Sequence, residues 1–405
     1  MTNCRSCASN SLFSIIPLGF LPLANALKKV IKECDVEQKY NLEVMLCKNC
    51  GLAQLKDLID PKDLFSEYVY FSSNSESMLR SAAELVHRII PNLNQDAFVI
   101  EIASNDGYLL KNYINNGIKV LGIDPAANIA KVANSNNITT MCEFFNEQLA
   151  KELAILGKQA DVIHANNVMA HVSDINGFIK GIKNLLKPQG YAVIEVPYFL
   201  DLVQNLEFDT IYHEHVFYFA VKPLKVAFEM FELEIFNIEK IAIHGGTLRL
   251  FVGHFGSNIV QPIINDMIQK EENLKLYSMD TFLNFMKKIN NLKINLIRLL
   301  KNIKKSGGKI AAYGASAKGT TLLNYFGVNK NYLDFVVDRS SIKHGLFTPG
   351  TNLEIKTPNA FITEKVSHAL LLVWNFADEI IEQQQEFINS NGKFIFPLPE
   401  VKVIP

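Results

Sequence analysis

The sequence predicts an α/β protein with a doubly wound, mostly parallel sheet at its centre. A small cysteine-bearing lobe precedes that sheet and a second α/β unit follows it. Three observations carry this expectation. Strand and helix signals alternate regularly from Ala97 to Phe199. Two Cys-x-x-Cys pairs, CRSC and CKNC, bracket the N-terminal stretch. A second strand–loop–helix–strand run, KIAAYGASAKGTTLLNYFGVNKNYLDFVVDRS, begins after a long helical pattern. Alternation of this kind implies parallel strands joined by crossover helices.

At 405 residues the chain is too long for one small domain. Its patterns divide it into a lobe over residues 1–66, a central unit over 67–258, a helical connector over 259–305 and a Rossmann-like unit over 306–405. Apolar residues make up 48% and charged residues 20%, the balance of a soluble globular protein. The net charge of −1 argues against a broad grip on nucleic acid or anionic membrane. No apolar run approaches the roughly 20 residues that span a bilayer. The N-terminal MTNCRSCASN lacks the basic and apolar regions of a signal peptide. A cytoplasmic protein with neither nucleic-acid nor membrane partner is expected. The oligomeric state is not written in the sequence, and a monomer is compatible with it.

In chain order, the first element is the cysteine lobe. Cys4, Cys7, Cys47 and Cys50 have the paired spacing of a tetrahedral Zn²⁺–thiolate site, each pair wrapping a tight turn around one ion. Gly51 suits such a turn, and the long segment between the pairs must fold as an insert of its own. Cys34 and Cys142 read as plain buried thiols. A helical pattern follows, with apolar Met78, Leu79, Ala82, Leu85, Val86 and Ile89. Then come the strands AFVIEIAS, VLGIDP, TTMCEFF, ADVIHANNV and YAVIEVPYF, separated by helical stretches. LEIFNIEKIAIHGGTLRLFVGHF places two strands around a His-Gly-Gly turn with no room for a helix, so they should pair as a hairpin. Residues 261–305 read as one long helical pattern. The final unit closes with the strands HALLLVWNF and GKFIFPLP, where Trp374 is most simply core.

Two loops carry ligand chemistry. VIEIASNDGYLL sets a flexible loop between a buried strand and a helix, where Gly107 lets a ligand approach the backbone. The next strand ends in Asp124, placed to accept from ribose hydroxyls. The loop lacks G-x-G-x-x-G and carries Glu101 and Asp106, which repel phosphate. S-adenosylmethionine, with its positively charged amino-acid end, suits it better. The second loop, AAYGASAKGTTLL, offers Lys318 and hydroxyls instead, a setting for a phosphate or nucleotide diphosphate, and Asp338 repeats the ribose-type position.

The densest signal is FDTIYHEHVFYF. Buried polar groups without partners cost several kcal/mol, so four in a row among aromatics point to a surface or to an acid–base site in a dry place. Histidine titrates near neutrality without large tuning. In a straight strand His213 and His215 would share one face and Tyr212 and Glu214 the other, so a bend is expected here.

EIASNDGYLL, GIDPAANIA, NNVMAHVSD, EVPYF, FDTIYHEHVFYF, HGGTLR, YGASAKGTTLLN and LLVWNFADEI together resemble the sugar C-methyltransferase family, over nearly the whole chain. The resemblance implies an N-terminal zinc lobe, a central class I methyltransferase domain and a C-terminal domain. It also implies S-adenosylmethionine as cofactor and, as substrate, a nucleotide-linked 4-keto-6-deoxysugar methylated at C-3. The family's base falls on His215, and Tyr212, Glu214 and His171 match its other active-site positions. The expected cofactor residues are Tyr70, Ser73, Glu101, Ala103, Asn105, Asp106, Gly107, Asp124, Pro125 and Asn166. Asn167, Tyr198, His244 and Lys318 are expected to meet the substrate. Many members carry glycine where this chain has Ala103.

Chemistry agrees with that implication. Carbon beside a ketone becomes nucleophilic after losing a proton, which needs a base and a group to stabilise the oxyanion. The residues alone also allow methyl transfer to oxygen or nitrogen, since the same base could deprotonate a hydroxyl. A non-catalytic zinc-ribbon binding protein would have lost the YHEH groups. An RNA methyltransferase would want a basic face, and NNVMAH is not the pattern of many amino-group methylases.

Overall fold

The computed structural model describes residues 3–31, 37–65, 71–241 and 245–404, so Cys34, Tyr70 and His244 lie outside the described residues. Three sheets follow one another, with strands numbered here along the chain. In the lobe, β1 (Leu12–Leu21) pairs antiparallel with β2 (Tyr40–Cys47), and β2 with β3 (Ala53–Leu55). The fourth strand of this sheet comes from far along the chain: β9 (Phe217–Tyr218) pairs with β3. The strand that follows YHEH therefore belongs to the cysteine lobe.

The central sheet contains β4 (Phe98–Ile102), β5 (Lys119–Ile123), β6 (Thr140–Met141), β7 (Ala160–Asn166) and β8 (Leu186–Pro197), all parallel. The hairpin β10 (Leu233–Ile241) and β11 (Thr247–His254) extends it, with β11 antiparallel to β8. The strand order is β10-β11-β8-β7-β4-β5-β6, the class I methyltransferase arrangement. Order reverses at β4, which has β5 on one side and β7 on the other. In open α/β sheets ligands bind beyond the carboxyl ends of the strands at such a reversal.

The third sheet repeats the idea. Its order is β14-β13-β12-β15-β16-β17, with β12 (Ile310–Tyr313), β13 (Val336–Val337), β14 (Ile355–Lys356), β15 (His368–Leu371), β16 (Lys393–Phe396) and β17 (Lys402–Ile404). Reversal falls at β12, directly before the Gly314–Lys318 loop. One continuous apolar core runs from Ile16 and Val44 of the lobe through Ile100 and Ile163 to Leu322 and Leu370. Smaller cores cover the far faces of the central and C-terminal sheets.

Some expectations change. The 261–305 pattern forms two helices, Ile263–Asn273 and Met279–Lys305, because Lys275 takes a left-handed conformation (φ 52°) between them. TTMCEFF keeps only two residues of strand. Cys142 is exposed rather than buried. Trp374 leans on the core but is only half-buried, in a short turn after β15, and its indole makes a specific polar contact described below.

Candidate active site

A cavity of about 1050 Å³ opens between the central and C-terminal sheets. Its walls are built where the strands end. From β4 come Ala103 and Asn105, from β5 Asp124 and Pro125, and from β7 Asn166 and Asn167. The C-terminal sheet brings Gly314, Ser316 and Lys318 to the opposite side. Tyr212, Glu214 and His215 lie on the wall as well, with His171 beside them.

The first loop has an unusual backbone. Ala103 (φ 55°), Asn105 (φ 50°) and Gly107 (φ 81°) alternate in the left-handed region, a shape that glycine adopts most readily. A Cβ on Gly107 would sit 2.4 Å from Ile138 Cδ1, so only glycine fits there. Asp124 closes the loop: its carboxylate accepts from the Asn105 N–H and the Ala126 N–H, each at 2.9 Å. Burial nevertheless pushes its carboxyl above the usual range. Glu101, Ser73, Asp106 and Gly107 are not on the cavity wall. Ser73 donates its N–H to Asp106, 3.3 Å away, and Glu101 is buried, held well above the usual carboxylate range by burial and by neighbouring Asp124, Asp106 and Glu195. The donor set fits a cationic nucleoside. Acids stand behind the loop, Phe144 and Phe178 offer apolar surface, and the buried Asn166 Oδ1 has no protein donor.

YHEH is a turn, as its mixed polarity demanded. The His215 N–H donates to the Tyr212 carbonyl at 2.9 Å, which separates the four side chains. His213 faces the lobe, with Nε2 3.2 Å from the Tyr40 carbonyl. His215 lies in the cavity. Its Nδ1 is 2.8 Å from the Thr210 carbonyl and its Nε2 is 2.7 Å from the Tyr212 hydroxyl. A carbonyl only accepts, so Nδ1 carries the proton. Nε2 is then the basic nitrogen, and Tyr212 donates to it. The His171 ring packs edge-on at 4.8 Å from His215, and burial pulls its pKa down to about 4, leaving it neutral. Glu214 is buried, which pushes its carboxyl up to about 7, and it accepts from the Asn25 amide at 2.6 Å.

Both flanking units hold this turn. On the lobe side, β9 pairs with β3 and the Leu55 N–H donates to the Val216 carbonyl at 2.8 Å. On the other side, the helix Ala317–Phe326 stacks Phe326 on Phe208 and donates the Thr321 hydroxyl to the Ile211 carbonyl at 3.1 Å. Trp374 Nε1 donates to Asp209 at 2.8 Å. Asn25, Asp209, Thr321 and Trp374 had no local signal in the sequence, because their partners are more than a hundred residues away.

Two of the expected substrate residues, Tyr198 and Lys318, line the cavity and also make contacts within the protein. The Tyr198 ring borders the cavity, but its hydroxyl donates to the buried Glu271 at 3.0 Å. Lys318, expected to meet a phosphate, lies 4.7 Å over the Trp374 ring and shares its surroundings with Glu207 and Asp209. Burial pushes those acids up to about 7 and about 6, while Lys318 pulls them back. Its Nζ also donates to the Asn375 side chain at 3.4 Å.

The four cysteines of the lobe converge. Their Sγ atoms lie within 4.8 Å of one another, with 3.6 Å between Cys4 and Cys50 and 3.7 Å between Cys7 and Cys47. Tetrahedral Zn–S bonds of about 2.3 Å place sulfurs about 3.8 Å apart, so the site fits zinc.

Family models match in three successive blocks. A putative zinc binding domain covers residues 4–65, a methyltransferase domain 75–237, and a C-methyltransferase C-terminal domain 242–399. The C-methyltransferase NovU of Streptomyces niveus is 31% identical over 404 residues, spanning 99% of this chain and 96% of that protein. The chain belongs to the sugar C-methyltransferase family. It is an S-adenosylmethionine-dependent methyltransferase with a zinc-binding lobe.

Other relatives match a shorter part of this C-methyltransferase. The ubiquinone biosynthesis O-methyltransferase of Bartonella tribocorum is 32% identical over 100 residues, 24% of this chain and 39% of that one. Among solved structures, the PH0226 protein of Pyrococcus horikoshii aligns over 49% of this chain and 100% of its own, at 14% identity and a TM-score of 0.37. An S-adenosylmethionine-dependent methyltransferase of Clostridium acetobutylicum aligns over 43% and 91%, at 14% identity and a TM-score of 0.35. Likenesses as loose as these two add nothing to the argument.

Proposed function

We propose that this enzyme methylates C-3 of a nucleotide-linked 4-keto-6-deoxysugar through an enolate formed by His215. The observation that carries the reading is the tautomer of His215, whose unprotonated Nε2 stands in the cavity beside a hydroxyl donor. The C-3 proton passes to Nε2, and the electron pair of the C–H bond moves into the C-3–C-4 bond as charge develops on the ketone oxygen. The new imidazolium keeps its Nδ1–H on the Thr210 carbonyl. Once Nε2 is protonated it can no longer accept from Tyr212, so that hydroxyl turns to the enolate oxygen as its charge forms. An interaction gained only then lowers the barrier rather than merely binding substrate.

S-adenosylmethionine, when bound along the Ala103–Gly107 loop and Asp124, supplies an electrophilic methyl group whose sulfur leaves with the bonding pair as carbon attacks. Asn166 and Pro125 complete that side, with Ser73, Glu101 and Asp106 supporting it. Glu214 orients the sugar by accepting from a hydroxyl or amine, and neutral His171 packs the base. Asn167 and Lys318 belong to the substrate side.

Proton exchange at C-3 in deuterated water tests this, using a nucleotide-linked 4-keto-6-deoxysugar with and without S-adenosylmethionine. Wild type should exchange and methylate, and His215→Asn should do neither while still binding the cofactor. Exchange at C-5, the other carbon acidified by a 4-ketone, would move the site of methylation. Methylation with no loss of any carbon-bound proton would move it to oxygen or nitrogen.

A further inference from the structure

We infer that Asn25, a residue of the zinc lobe, is a positioning residue of the active site, where its amide holds the Glu214 carboxylate as a hydrogen-bond acceptor for the substrate. This rests on Glu214 as the group that orients the sugar. Asn25 Nδ2 donates to Glu214 Oε1 at 2.6 Å, and Asn25 itself lines the cavity. It stands on the segment that leaves β1, and that segment is tied down on both sides. The Ala24 carbonyl accepts from Thr320 of the C-terminal helix at 2.9 Å. Lys28 exchanges two main-chain hydrogen bonds with Phe347, at 3.0 and 2.8 Å. The amide is therefore delivered to Glu214 by a braced backbone, not by a mobile loop.

The chemistry requires such a donor. Glu214 is buried where desolvation favours its neutral form, and a hydrogen bond to the ionised form opposes that. Burial and the Asn25 amide are what act on its carboxyl. Within its own turn Tyr212 and His215 bond to each other, while His213 faces Tyr40. The neutral His171 ring donates to its main-chain carbonyl, and Lys318 across the cavity is engaged with Glu207 and Asp209. Asn25 is the side-chain donor to the carboxylate among the described residues. The zinc lobe is thereby part of the catalytic apparatus, through one residue.

The test follows the pH dependence of methyl transfer in Asn25→Ala and Asn25→Asp, with Asn25→Gln as the conservative variant. Asn25→Ala should lower kcat about tenfold and raise the pKa of the acid limb by about one unit, with cofactor affinity and zinc content unchanged. Asn25→Asp should move the limb further upward, since a second acid then faces Glu214, and Asn25→Gln should restore part of the loss. In a Glu214→Gln background the substitutions should no longer move the limb. An unmoved limb overturns the inference, whether or not zinc content and melting temperature fall. So does a limb that moves equally without Glu214. A wild type that methylates without C-3 exchange would refute the carbon base instead, and the limb would remain measurable in methyl transfer.

Discussion

The Tyr212 hydroxyl and His215 Nε2 lie 2.7 Å apart, in a turn that directs His213 to the lobe and His215 to the cavity. A single donor serving first the base and then the enolate makes a distinct kinetic prediction. Tyr212→Phe should lower kcat by about 10²–10³-fold, the size of a lost oxyanion donor, with little change in KM. It should retain slow C-3 exchange, whereas His215→Asn retains none. Equal loss of exchange in both variants would show that Tyr212 acts before the enolate forms.

The C-terminal unit should act on the base without touching it. Thr321→Val removes the hydroxyl donor to the buried Ile211 carbonyl, and Trp374→Phe removes the indole donor to Asp209. Each should cost about 1–3 kcal/mol of local stability. Because Thr210, the residue between them, sets the His215 tautomer, kcat should fall about tenfold or more. Calorimetry with S-adenosylmethionine should give an unchanged Kd.

Zinc should matter at a distance for the same kind of reason. The ion pins the first turn, Cys4 and Cys7, to the β2–β3 turn, Cys47 and Cys50, and β3 pairs with β9 next to YHEH. Chelation, or Cys50→Ser, should abolish methylation while cofactor binding by the central sheet persists. Amide hydrogen exchange should then rise in residues 211–219 before it rises in β4 and β5.

In the cofactor loop, Gly107→Ala should be costly and Ala103→Gly should not. The first adds a Cβ in the left-handed region against Ile138, a loss of about 2–4 kcal/mol, read as a lower melting temperature and weaker cofactor binding. The second removes a Cβ from a left-handed residue, and thermal unfolding should show it neutral or slightly more stable.

Buried His164 predicts an acid-side loss of stability. It accepts or donates at the Tyr113 hydroxyl, 2.8 Å away, and burial pulls its pKa from 6.5 down to about 3. Below pH 6.5 the unfolded chain binds a proton that the native protein refuses, so stability drains as pH falls towards 3. Relative to His164→Gln, wild type should lose on the order of several kcal/mol across that window. Urea titrations at pH 7 and pH 4.5 measure it, and a constant difference between the two proteins would refute it.

Much of this protein was determined by its local sequence. Strand and helix periods reveal a doubly wound sheet because βαβ alternation leaves few other ways to bury both faces of parallel strands. Cysteine spacing reveals the zinc site because two short turns and one tetrahedral ion need nothing else. The polarity of YHEH called for a bend, which the turn supplies. Tertiary structure alone decided the rest, since a side chain's chemistry depends on who faces it. Two histidines separated by one residue became a lobe contact and a cavity-lining ring. Lys318, attractive for phosphate in isolation, lines the cavity over the Trp374 ring with Glu207 and Asp209 within electrostatic reach. Asn25 and Trp374 reached the active-site segment across 189 and 165 residues of chain, a distance no local pattern spans.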